Sequence, residues 1–214
     1  DEKGNKLYQD YVFLTPKDPN TLMIGVLSDS AQDLKYLNNL LLAQMAEEVM
    51  EDEEMYRREI NKNYNFPVFL DENTFPSSIG VMESYSALII DDFDASVLTK
   101  VQLDALHQWI LEGGTLAVGT GASAQKTLRG LSFLSDIKTE GITTISELQG
   151  VTGNIALAQL RGENLSDLWG DSESELFSVV AMGEGHVVLS HFSLSATPMA
   201  GQSATLDMLQ EALK

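Results

Sequence analysis

Cysteine is absent from all 214 residues, which excludes a disulfide scaffold, a thiolate zinc site, an iron–sulfur cluster and a cysteine nucleophile together. Basic residues are scarce: 13 Lys and Arg stand against 32 Asp and Glu, a net charge of −19. A field of that sign repels phosphate backbones and anionic headgroups, so general nucleic-acid binding is excluded. No apolar run approaches the roughly 18 to 20 residues of a membrane-spanning helix, and membrane contact is expected only through segments outside this chain. No initiator Met and no apolar leader precede the body of the sequence, which reads as a processed or excised segment. The lack of Cys together with strong acidity reads as a soluble part of an exported protein, extracellular or in the cell envelope, with a cytoplasmic setting as the alternative.

What is present suffices for a core. Hydrophobic residues make up 43% of the chain and charged ones 21%, the balance of a globular protein rather than a disordered one. Residues 1–20, punctuated by Pro16 and Pro19, read as a lead-in or edge strand, and residues 21–214 as a single domain. The run 21–27 (TLMIGVL) has the pattern of a strand buried on both faces. After it, Ser30 and Asp33 resemble a weak capping box, with Leu34, Leu37, Leu41 and Met45 at helical spacing. The acidic block 47–54 (EEVMEDEE) reads as a solvated helix face. Residues 66–70 (FPVFL) read as a short edge strand, given Pro67.

The middle of the chain carries the clearest signals. Residues 87–90 (ALII) predict a buried strand that ends in Asp91, Asp92 and Asp94. Thr99 and Gln102 form a capping box, with Leu98 and Leu103 as its hydrophobic staple. Val101, Ala105, Leu106, Trp109 and Ile110 give the helix one apolar stripe, and the glycine pair at 113 and 114 stops it. Residues 115–118 (TLAV) predict the next strand, opening into Gly119, Thr120 and Gly121. A short helix is expected over 123–134, and residues 135–153 are polar and weakly patterned. Three further strands are expected at 154–160, 177–182 and 186–192, the last two joined by a hairpin turn at residues 183–185, with a closing helix over 201–214. The sum is an α/β fold: a three-layer α/β/α arrangement around a mostly parallel, flavodoxin-like central sheet, with a late antiparallel hairpin.

Residues 87–121 (ALIIDDFDASVLTKVQLDALHQWILEGGTLAVGTG), 183–201 (GEGHVVLSHFSLSATPMAG) and 21–37 (TLMIGVLSDSAQDLKYL) together resemble the class I glutamine amidotransferase-like fold. The likeness is to a degenerate branch of exported or membrane-anchored bacterial proteins. It implies that a nucleophilic Cys belongs on the turn after the strand at 115–118, with a glycine two residues on. Gly119 stands at that place, with Gly121 as the following glycine; a register shifted by one puts Thr120 there. The family's His-x-Glu pair has no counterpart, because His186 is followed by Val187 and Val188, and His191 by Phe192 and Ser193. The resemblance thus implies the fold without its chemistry.

Several residues invite a functional reading. Asp91, Asp92 and Asp94 lie at the carboxyl end of a predicted parallel strand, where α/β sheets bind ligands. Clustered carboxylates there can hold Mg²⁺ or Ca²⁺, while the simpler reading is turn and capping work. Gly119, Thr120 and Gly121 can present amides to an anion, or simply make a tight turn. His107 is expected to face solvent from mid-helix. His186 and His191 are expected on opposite faces of one strand. Ser193, two residues from His191, invites a Ser–His reading that lacks an orienting acid. Trp109 and Trp169 are expected as core or interface anchors. The expected function is a non-catalytic interaction or scaffold domain of a bacterial envelope protein, with no catalytic residue, resident metal or cofactor, and with a protein partner or other domains of the same polypeptide as its contacts. The alternatives are a metal-dependent hydrolase using Asp91, Asp92 and Asp94 with Thr120, or a small-molecule-binding sensor at the same sheet edge.

Overall fold

The computed structural model of the protein describes residues 22–40, 65–170 and 175–213. In chain order the elements are β1 (Leu22–Leu27), a 3₁₀ helix (Ala31–Asn39), β2 (Asn65–Leu70), α1 (Ile79–Met82), β3 (Ala87–Asp91) and α2 (Lys100–Leu111). They continue with β4 (Thr115–Gly119), α3 (Ala124–Leu128), β5 (Lys138–Leu148), β6 (Val151–Arg161), β7 (Ser166–Gly170), β8 (Glu175–Met182), β9 (Gly185–Ser190) and α4 (Ser203–Ala212). The expected lead-in at 1–20, the acidic block at 47–54 and the Trp169 side chain lie outside the described residues.

The buried apolar runs become adjacent parallel strands. The main sheet has the order β2-β1-β3-β4-β9-β8-β7. Its first five strands run parallel, and β8 and β7 run antiparallel beyond β9. The parallel order is that of a flavodoxin-type doubly wound sheet, whose direction of winding reverses between β1 and β3. Alternation along each strand feeds two cores. Leu88 and Ile90 of β3 join Leu106, Trp109 and Ile110 of α2 on one face. Ile89 joins Leu34 and Leu37 of the 3₁₀ helix and Met208 and Leu209 of α4 on the other. Each such fully buried side chain contributes about 1.5–3 kcal/mol, and the result is a three-layer α/β/α fold.

Local chemistry explains where elements begin and stop. The capping box of α2 is made in full, with Thr99 accepting from the Gln102 amide and the Gln102 side chain accepting from Thr99. Gln102 also donates to the Glu72 and Phe75 carbonyls, tying the helix start to the loop after β2. Gly113, at φ +112, ends the helix in a conformation that glycine adopts without strain. Two expectations change here. Val101 is 62% exposed and so stands outside the α2 stripe, because at 3.6 residues per turn it lies about 140° round the helix from Leu106, whereas Gln102 in the same turn is buried. Ser30 makes no cap; the segment after it is 3₁₀ rather than α-helical, and the Ser30 hydroxyl is used elsewhere.

Two strands were not expected. β5 falls in the weakly patterned stretch, pairs with β6 through a two-residue turn at Gln149 (φ 49) and Gly150 (φ 79), and the pair forms a separate antiparallel sheet. Positive φ at both turn residues is the type I′ geometry that suits a twisted hairpin. β7 adds the last strand of the main sheet. The expected helix over 123–134 is shorter, α3 being followed by a single 3₁₀ turn at Ser132–Leu134.

Candidate functional site

The carboxyl ends of β1, β3, β4 and β9 meet along one edge of the sheet, and the chemistry-bearing residues gather there. β3 delivers Asp91 with no solvent exposure at all. Its Oδ1 accepts from the Leu194 amide at 2.7 Å, and its Oδ2 accepts from the Ser195 amide at 3.0 Å and the Ser193 hydroxyl at 3.1 Å. Burial pushes the Asp91 carboxyl up, and the donors of Ser195, Leu194 and Ser193 pull it back. Tyr36 of the 3₁₀ helix, on the same face of the sheet, donates to the Leu194 carbonyl at 2.8 Å. Burial, and then the charge of Asp91, push the Tyr36 phenol up.

Beside Asp91 runs Gly119, its register partner on β4. A Cβ at 119 would stand 1.7 Å from Asp91 Oδ1 and 2.8 Å from its Cγ. The place where a side chain would project from this turn is therefore filled by a carboxyl group from the neighbouring strand. Thr120, the other candidate for that place, is fully buried, and its hydroxyl donates to the Ser190 carbonyl at 2.6 Å. Gly121, at φ +62, is pressed between two backbones: a Cβ there would lie 2.8 Å from the Ser193 nitrogen and 2.9 Å from the Ala156 carbonyl oxygen. β6 thus roofs the turn, and the Ala158 amide donates to the His191 carbonyl at 2.7 Å to hold the roof down.

Asp92 and Asp94 point elsewhere. Asp92 occupies a left-handed conformation, φ 48, that is costly for most residues but tolerated by Asp. Its carboxylate accepts from Ser123 at 2.7 Å, Lys126 at 3.0 Å and Ser30 at 3.2 Å. Lys126 also reaches the Asp92 carbonyl and the Asp29 carboxylate, both at 2.8 Å. Burial opposes ionisation of Asp92, but Ser123, Lys126 and Ser30 outweigh it and hold the carboxyl below the usual range. Asp94 caps the short 3₁₀ turn at Ala95–Val97 through Ser96 and pairs with Arg129 at 3.0 Å, contacts that also hold it low. The three acids therefore serve three separate sets of partners. Among the described residues, no three His, Asp or Glu side chains gather as a cation site requires.

The histidines also find partners that sequence spacing did not indicate. His191 Nε2 lies 2.7 Å from the hydroxyl of Ser178, and both residues are buried. Ser193, the expected neighbour, is instead committed to Asp91. Burial pushes the His191 imidazole down, opposed by the Ala158 backbone and the charge of Asp167. His107 is half-buried rather than solvent-facing, stacked on Phe133 with ring centroids 5.1 Å apart. Trp109 is a core residue.

No family model matches this chain, and no curated protein matches it. Solved structures do. An exo-β-1,4-mannosidase from Opitutaceae bacterium strain TAV5 superposes with a TM-score of 0.51 at 13% identity, covering 90% of this chain and 34% of that one. A cytoplasmic protein of Salmonella typhimurium LT2 gives 0.53 at 13% identity over 89% of this chain and 95% of its own. A second cytoplasmic protein of Salmonella typhimurium gives 0.51 at 13% identity over 90% and 95%. This chain spans about a third of the mannosidase and nearly all of each Salmonella protein. At these identities the likeness is one of fold.

Proposed function

We propose that this chain is a non-catalytic domain of amidotransferase-like architecture that works by binding, as an interaction or scaffold module within a larger protein. The observation that carries the reading is the Asp91 carboxyl, which takes up the space beside Gly119 where a nucleophile would have to project. Supporting it, the Thr120 hydroxyl is spent on a carbonyl and β6 covers the turn, so neither a nucleophile nor a path for substrate is provided there. Thioester chemistry needs a thiolate populated near neutral pH, and a threonine hydroxyl without a positioned base does not replace it. The test is ammonia release from glutamine: none above background is expected, and release that disappears in Thr120→Ala would overturn the reading.

A small-molecule role is the second reading, and one observation favours it. An open surface depression of about 500 Å³ lies between α3 and the start of β5. Leu128, Leu131, Leu134 and Ile137 line it, with Lys138 and with Arg129, whose guanidinium also pairs with Asp94 at 3.0 Å, in a chain that otherwise carries a strong negative charge. Saturable binding of a small aromatic carboxylate that is lost in Leu131→Trp would support this reading over a purely macromolecular one.

A further inference from the structure

We propose that the outer edge of β5 takes up an extended polypeptide segment with basic flanks as an added strand, an inference that rests on the interaction reading above and names its surface. β5 and β6 form a sheet of two strands. The outer edge of β6 is engaged, since the Ala158 amide bonds the His191 carbonyl and the Ala156 carbonyl packs over Gly121. Among the described residues no strand pairs with the outer edge of β5. An unpaired edge presents a row of amides and carbonyls that another chain can complete.

Protein edges are usually blunted by charge, proline or a covering element. β5 carries charges only toward its ends, at Lys138, Glu140 and Glu147. Between them the segment GITTIS, residues 141–146, has no charge and no proline, and it is rich in the β-branched residues that favour strands. Irregularities in the ladder fall on either side, between Thr139 and Gly141 and between Ile145 and Glu147. The five pairs from Gly141↔Gln159 to Ile145↔Ile155 between them are regular. At about 3.3 Å per residue this is a template of roughly 17 Å. Ile142 is 50% exposed on it, an apolar anchor without a cover.

Charge selects the occupant. A second copy would bring another −19 against the first, a net repulsion that a basic segment does not meet. A segment with Lys or Arg on each side of a β-branched centre meets Glu147 at one end and, at the other, Glu140, whose exposed carboxylate also pairs with Arg161 at 3.3 Å; an exposed pair of this kind contributes little and can be shared.

The test uses the whole chain and a short peptide of alternating valine and threonine with lysines at both ends, followed by titration calorimetry and amide exchange. Binding that weakens with salt and protects amides within 141–146 is expected. The same peptide with glutamates at its ends should bind at least about tenfold more weakly. Ile142→Lys, at a half-exposed position that should leave the thermal melt unchanged, should weaken the lysine peptide by about tenfold through like-charge opposition. Absence of binding up to about 1 mM, the weak end of peptide recognition, would overturn the proposal. Binding without protection at 141–146, or untouched by Ile142→Lys, would overturn it while leaving the interaction reading in place. Self-association through β5, lost in Ile142→Lys, would overturn the choice of partner. Failure of the reading beneath it is read separately, as glutamine hydrolysis by the same sample.

Discussion

Replacing Gly119 by alanine adds only one methyl group, at the buried end of β4, yet we expect it to be among the most damaging single changes in the molecule. The new Cβ would lie 1.7 Å from Asp91 Oδ1, less than half the 3.5–4.0 Å at which non-bonded heavy atoms sit comfortably. Gly119 is not in the left-handed region, so backbone strain does not enter and the collision is the whole effect. Relief requires the carboxyl to swing away from Leu194, Ser195 and Ser193, leaving a buried charged group without its donors. Overpacking alone costs about 1–3 kcal/mol, and uncoupling a buried charge from its partners about 3–5 kcal/mol. We therefore expect a loss of about 3–5 kcal/mol, which for a chain of this size lowers Tm by roughly 6–20 °C. Urea denaturation followed by tryptophan fluorescence measures it. A double-mutant cycle isolates the cause: with Asp91→Ala already in place, Gly119→Ala should cost less than about 1 kcal/mol. An alanine variant as stable as the parent, or one whose cost is the same whether or not Asp91 is present, would refute the argument.

Other expectations follow from the neighbouring groups. Asp92 is held low, so the unfolded chain takes its proton first as pH falls; the stabilisation it gives is complete above about pH 4 and is lost as pH drops through the folded value. Asp92→Asn should accordingly lie below the parent in stability at pH 6 and converge on it in acid, which denaturation across that range checks. His191 is held low by burial, so the unfolded chain again binds the proton first, and stability should fall as pH drops below about 6.5. His191→Gln, which keeps a partner for Ser178, should flatten that slope; an unchanged slope would assign it to other groups. Calorimetric titration with Mg²⁺ and Ca²⁺ should show no binding tighter than about 100 μM, because the carboxylates of Asp91, Asp92 and Asp94 are already occupied by protein donors. Micromolar uptake abolished by Asp92→Ala would favour the metal-dependent hydrolase instead.

The unit from β3 through α2 to β4 was legible because its signals are local: two buried runs, a capping box three residues wide and a glycine stop, each needing only a few neighbours to be read. β5 was not, because a strand whose side chains are mostly exposed need not alternate apolar with polar; threonine serves as well as valine, and the pattern vanishes. The candidate site divides along the same line. That Asp91 ends a strand and that Gly119 occupies the turn can be read along the chain. That the first fills the space of the second cannot, since it depends on the lateral register of two strands and on a loop more than 100 residues further on. The Ser–His pair illustrates the same point: Ser193 lies two positions from His191 in sequence, yet the hydroxyl that reaches the imidazole comes from Ser178 on the adjoining strand.

The pairing of Asp91 with Gly119 also sets an order on the mutational paths open to this sequence. A side chain at 119 is tolerated only after Asp91 has become smaller, and shrinking Asp91 first strands the amides of Leu194 and Ser195, so either first step is penalised. A lineage carrying this arrangement is separated from any side chain at 119 by a valley whose first step, taken in either order, is unfavourable, and selection for chemistry at that turn has no gradient to climb. Variation under selection for function would then concentrate away from it, in parts of the molecule where single substitutions are cheap.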